Sequence, residues 1–234
     1  MKNILIITLY GNYNYGNKFQ NYAMQTTLEK LGGNANTNIN INFNTQKTNN
    51  ILQKLRKITF KRIINKLLVK FKNITDKKRT ENFKAFSEKY LKTVNYNTYD
   101  ELNKNYDMLC IGSDQIWNPY FIKDFYYSYG QFSNNAFSYA ASFGINEIPD
   151  EYKEEVKKGL NHVKHISVRE DKGADIVENL IGKRPEVVLD PTLLLEDKEW
   201  DKIIAVPKNI PKKKFIVTYF FIISKIIAFY INLI

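Results

Sequence analysis

A chain of 234 residues with 44% apolar and 25% charged side chains can bury one large core or two modest ones, which excludes a disordered or fibrous polymer. Its one cysteine, Cys110, cannot form an internal disulfide, fits a reducing cytoplasm and reads as a small buried hydrophobe. His162 and His165 lack acidic or cysteine neighbours at ligand spacing, so no metal is expected.

The formal charge of +11 is concentrated: residues 51–92 hold 14 of the 35 basic but only 3 of the 24 acidic residues, and the remainder of the chain balances. That segment lacks the aromatic interleaving of a single-strand binder and any helix-turn-helix signature, so nucleic acid is not expected as a partner. A solvated helical face is one account of it. Contact with an anionic membrane surface or a lipid-phosphate-linked substrate is the other.

In chain order, the apolar run at 4–10 predicts a strand buried on both faces, the start of a parallel sheet. A turn-rich loop, Gly11 to Asn17, leads to a helix expected at 18–31 and ending at Gly32-Gly33. Its N-terminus suits a phosphate or carboxylate, although the loop is not a dinucleotide fingerprint. A second strand is expected at 36–43. Helical stripes at 51–58 and 60–71 differ in phase by roughly half a turn and predict a break near Thr59-Phe60; with a further helix at 80–91 they form a basic excursion. The α/β alternation resumes with strands at 107–111, 136–143, 166–170 and 186–189 and helices at 150–163 and 171–181. Residues 215–234 hold 16 apolar residues of 20 with one charge, Lys225, and read either as a membrane tail or as one more buried strand at 215–221.

Four of these strands stop at polar groups: Gly112-Ser113-Asp114, Ser142, Arg169-Glu170 and Asp190-Pro191-Thr192. In a parallel sheet all would emerge on one edge and share one crevice. Gly112 to Pro119 is the richest exit, offering a hydroxyl at Ser113, a carboxylate at Asp114, amides at Gln115 and Asn118 and an indole at Trp117, a set suited to a sugar. Asp114 is the candidate general base or hydrogen-bond acceptor toward a sugar hydroxyl, with an N-cap as the competing reading. Trp117 would stack on a sugar face or pack beneath the loop. Asn14, Asn17 and Gln20 would contact the acceptor or an anion at the first helix N-terminus, with capping and turn formation the other account of Asn14 and Asn17. Arg169 would pair with phosphate or carboxylate, or with Glu170 or Asp190. Ser138 and Ser142 read as close-packing residues, since no histidine is placed to activate them.

Five of these motifs in register resemble the polysaccharide pyruvyl transferase family: Asn14-Tyr15-Gly16-Asn17 with Gln20, Tyr22, Ala23 and Gln25; Tyr106-Asp107 leading into Gly112 to Pro119; Ser138 to Gly144; Ile166 to Glu170; and Asp190-Pro191-Thr192. The resemblance implies a Rossmann-like N-terminal domain of a B-type glycosyltransferase fold at 1–214, with the 51–92 basic helical insertion. It also implies pyruvyl transfer from phosphoenolpyruvate, without a bound cofactor, to a sugar or lipid-linked saccharide of a cell-surface polysaccharide. The work would take place in the cytoplasm, near the inner membrane face. The substrate-binding positions it marks are Asn14, Tyr15, Gly16, Asn17, Gln20, Gly112, Ser113, Gln115, Trp117, Asn118, Ser142, Arg169, Glu170 and Asp190. In that family the Arg and His groups assigned to the donor lie mostly in a second half. Here 215–234 would be the start of that half or an unrelated apolar tail, so a truncated, inactive product is expected. The alternative is a non-catalytic sugar-binding or membrane-docking module.

Overall fold

The computed structural model describes residues 1–11, 14–39, 77–122 and 124–205. The helices expected at 51–58 and 60–71 and the tail at 215–234 lie outside them.

β1 (Lys2–Ile7) is the central strand, with Leu5, Ile6 and Ile7 wholly buried. It pairs in parallel with β2 (Gly33–Asn38) on one side and β4 (Met108–Ile111) on the other, Leu5 lying opposite Asn36 and Leu109. β3 (Thr93–Val94) flanks β2 and β5 (Ala136–Ser138) flanks β4, giving the order 3-2-1-4-5. β6 (Ser167–Val168) and β7 (Glu186–Val187) pair in parallel. Bridges Phe137–His165 and Ala141–Val168 tie β5 to β6, so the seven strands among the described residues run one way. This is the expected Rossmann-like α/β arrangement.

Alternation along β1 divides the core. Ile4 and Ile6 face Met24 and Leu28 of helix α1 (Tyr15–Lys30) together with Cys110. Leu5 and Ile7 join Leu109 and Ile111 in the larger cluster, with Trp117, Tyr129, Val156 and Leu160 of α5 (Asp150–His162) and Val177 of α6 (Asp171–Ile181). Cys110 is the buried hydrophobe expected, its thiol pushed up to about 12 by burial. A third cluster sets Tyr22, Ala23, Leu91 and Leu195 against Tyr10, Phe86, Tyr90 and Trp200.

Several boundaries differ from expectation for local reasons. α1 starts at Tyr15 rather than Lys18, because the Asn14 side chain caps it by accepting from Asn17 N, and Gly33 opens β2 instead of ending the helix. α2 occupies the helical residues 77–90. β5 is three residues long because Ala140 turns into the left-handed region at φ 52°, after which only Ala141 rejoins the sheet. Short helices without a readable stripe also appear: α3 (Tyr99–Asn105), closed by a Thr98–Glu101 capping box; α4 (Phe125–Ser128), capped by Asp124; and α7 (Asp197–Asp201), with a Glu196–Glu199 capping box. Among the described residues no helix is long and apolar enough to cross a membrane.

Candidate functional site

The chain leaves β1 toward β2 and β3 but reaches β4 and β5 on its other side, so strand order reverses between β1 and β4. A crevice opens beyond the carboxyl ends of strands at such a point. The β4 exit enters it through a turn that only glycine can begin. Gly112 has φ 135°, and a Cβ there would lie 2.1 Å from Tyr139 O. Asp114 follows at φ 60°, an uncommon conformation for a non-glycine residue that aspartate tolerates better than most. The turn is held because Asp114 O accepts from Ile116 N at 2.8 Å and Ser142 N at 3.0 Å, binding the β4 exit to the β5 exit.

Asp114 is therefore no helix cap. Its carboxylate accepts from Asn17 Nδ2 at 2.9 Å, bringing the first turn of α1 to the β4 exit. Beneath them Gln20 Nε2 donates to Thr8 Oγ1, and Thr8 Oγ1 donates to Ser113 O, each at 3.4 Å. On the other side Arg169 Nη1 reaches Ser113 Oγ at 3.4 Å and Asp190 Oδ2 at 3.0 Å, while its Nε donates to Glu170 Oε1 at 2.7 Å. Asp190 is fixed in turn, its Oδ1 accepting from Thr192 N and Thr192 Oγ1. Burial opposes the charge on Arg169, but its hydrogen bonds to Glu170 and Asp190 outweigh that and raise its pKa above the usual arginine value. One cation thus serves two carboxylates.

The expected site residues separate into two groups. Asn17, Gln20, Ser113, Asp114, Arg169, Glu170 and Asp190 come together around the Ser113-Asp114 turn, Asn17 bonding Asp114 while Gln20, through Thr8, and Arg169, with Glu170 and Asp190, meet at Ser113. The others shape its walls. Trp117 is fully buried, stacked on Tyr129 at 5.2 Å and donating Nε1–H to Ser128 O; its ring has no free face for a sugar, so of its two readings the structure bears out packing. Gln115 lies under Gly144 and accepts from Asn118 Nδ2. Ser142 is wholly buried, its hydroxyl accepting from Gly144 N, and Ser138 is bonded to Ser167, the close-packing roles expected of both. Asn14 caps α1, Gly16 sits in its first turn, and the half-exposed Tyr15 ring rests on Phe83.

Two residues escaped the sequence reading. Thr8 is the hinge between Gln20 and Ser113; it looked like one more β-branched strand residue. Lys18 is 1% exposed, yet a lysine in an amphipathic helix reads as solvated; its one signal was its place four residues before buried Tyr22.

A family model described as polysaccharide pyruvyl transferase matches residues 14–233. Neither curated proteins nor solved structures gave a significant match.

Proposed function

The chain belongs to the polysaccharide pyruvyl transferase family, and from that premise we propose that it takes part in moving pyruvyl from phosphoenolpyruvate onto two hydroxyls of a sugar or lipid-linked saccharide destined for a cell-surface polysaccharide. Such a reaction must protonate the enol carbon, stabilise the cationic centre that results, accept two hydroxyl protons and release phosphate. The observation carrying this reading is the Ser113-Asp114 turn at the strand-order switch, where Asp114 bonds Asn17 and Ser113 meets the Arg169–Asp190 pair.

The network's chemistry favours the acceptor sugar over the donor. Arg169 is shared between Glu170 and Asp190, so with Asp114 the cluster has an excess of carboxylates and repels a phosphate. Carboxylates beside amide and hydroxyl donors suit the alternating donors and acceptors of a polyol. Asp114, half-buried at the turn's tip, takes the proton of the attacking hydroxyl; Asn17 holds its carboxylate in place. Work in the cytoplasm at the inner membrane face accords with the exposed basic residues Lys77, Lys78, Arg79, Lys84 and Lys89 on α2.

The test is incubation of the purified chain with phosphoenolpyruvate and nucleotide-linked, lipid-linked or free saccharides, following phosphate release and the mass of the sugar product. Pyruvylated product formed by the wild type, and lowered about a hundredfold in Asp114→Asn, supports the reading. Product formation indifferent to Asp114 removes its assigned role, and no product with any acceptor class from a folded protein counts against the activity itself.

A further inference from the structure

Lys18 lies in the first turn of α1, 1% exposed, its Nζ 3.5 Å from the centre of the Tyr10 ring and, among the described residues, without a hydrogen-bond partner. One turn on, the buried Asn21 Nδ2 is also a donor without an acceptor among the described residues. A buried charge is ordinarily paired, and the carboxylates on the elements around α1 are engaged elsewhere, Asp114 accepting from Asn17 Nδ2. From the segment packed across α1, Asp190 is held by Arg169 and Glu199 by Lys30. On α1 itself, the Tyr22 hydroxyl donates to Glu199 O. From the α2 side, Tyr90 O accepts from Gln25 Nε2. Tyr10, partly exposed, offers only its ring face.

We propose that Lys18, with the first turn of α1, forms an anion subsite whose occupant is a phosphate or carboxylate group of a substrate, admitted when the Tyr10 side chain swings off the ammonium. A helix N-terminus and an internal ammonium attract the same sign of charge. Naming the occupant as a substrate group rests on the pyruvyl-transfer reading; the anion site itself does not. The subsite supplies what the Arg169 cluster cannot, an unneutralised cation at the same edge of the sheet. Burial lowers the pKa of Lys18 to about 8, and an arriving anion would draw the proton on.

Calorimetric titration of the whole chain with sodium sulfate tests this, because sulfate stays a dianion and any pH dependence belongs to the protein. Expected are saturable binding at about pH 7, affinity lower by about tenfold or more at about pH 9.5, loss of about tenfold or more in Lys18→Met, and retention in Lys18→Arg. Displacement of sulfate by phosphoenolpyruvate would identify the donor as the source of the anion; displacement by a nucleoside diphosphate sugar would identify the acceptor. Absence of sulfate binding, a folded Lys18→Met variant of unchanged affinity, or displacement by neither compound overturns the proposal. If Lys18→Met does not fold, the Cε resonance of Lys18 in wild-type protein labelled with 13C-lysine decides: sulfate must move its titration upward by about one pH unit, and a midpoint that stays put overturns the site. Sulfate binding needs no turnover, so an inactive chain can still bind through Lys18. An active chain whose Lys18→Met variant keeps both turnover and sulfate affinity sinks this inference alone.

Discussion

At Gly112 a single added carbon decides the turn. Alanine there would place its Cβ 2.1 Å from Tyr139 O at a φ of 135°, combining a clash against main chain with a conformation L-residues avoid. Gly112→Ala should lose about 3 kcal/mol or more in urea unfolding; a loss under about 1 kcal/mol would mean the exit is looser than it looks. Asp114, two residues on, separates conformation from chemistry. Asparagine adopts its left-handed φ about as readily and retains one oxygen for Asn17 Nδ2, so Asp114→Asn should unfold within about 1 kcal/mol of wild type while losing about a hundredfold in product formation. The glycine was legible because an apolar run halting at glycine marks a strand exit whatever the fold. The fate of Trp117 was not: the same indole fits a sugar platform or a core anchor, and Tyr129 and Phe143, which settle it, are 12 and 26 residues away in sequence.

Among elements, α5 shows packing overruling propensity. Ala is about 1 kcal/mol better than Gly within a helix, but at Gly159 a Cβ would meet three atoms of the Tyr129 ring at 2.3–2.7 Å, and Tyr129 is held between Trp117 and Phe125. Gly159→Ala should therefore destabilise by about 2 kcal/mol, and a measured gain would show that the stack can shift. The pairing of β6 with β7 exits invites a second measurement. Arg169 and Asp190 are each only about a quarter exposed, at 26%, so Arg169→Met and Asp190→Asn should couple by about 1 kcal/mol in a double-mutant cycle followed by denaturation. Strands and helices with a long period were readable from the chain: α5 and α6 lie within a residue of expectation. The short helices α3, α4 and α7 were not, since two turns or fewer leave no stripe and rest on caps instead. The strand expected at 136–143 is broken by Ala140, an alanine in a conformation its type does not advertise.

For the whole molecule, the buried groups set opposing demands on pH. Lys18 is lowered from 10.5 to about 8 by burial, so between those values the folded chain binds fewer protons than the unfolded one, and stability rises with pH. The cost of its charge is present in full below about pH 8 and relieved as pH climbs through the window. Cys110 and Tyr106 act the other way. Burial raises the thiol from 9.0 and, with a smaller contribution from Tyr96, the phenol from 10.0, each to about 12, so the unfolded chain loses these protons first. Stability held by the neutral thiol is full below about pH 9 and declines above it; the phenol follows above about pH 10. On the acid side Glu199, lowered chiefly by its hydrogen bond to Lys30, contributes stability that is lost as pH falls below the carboxylate range. The Lys18 rise is therefore cleanest between about pH 8 and 9, where it should amount to about 1 kcal/mol for nearly one proton. Chemical denaturation of wild type and Lys18→Met across about pH 7–10 isolates it: the variant should be the more stable below about pH 8, and the difference should shrink toward pH 9 while the cysteine and tyrosine declines cancel between the two proteins. Parallel curves would place the Lys18 ammonium in contact with solvent or a counter-charge, and with that the case for an unpaired cation beside α1 would fall.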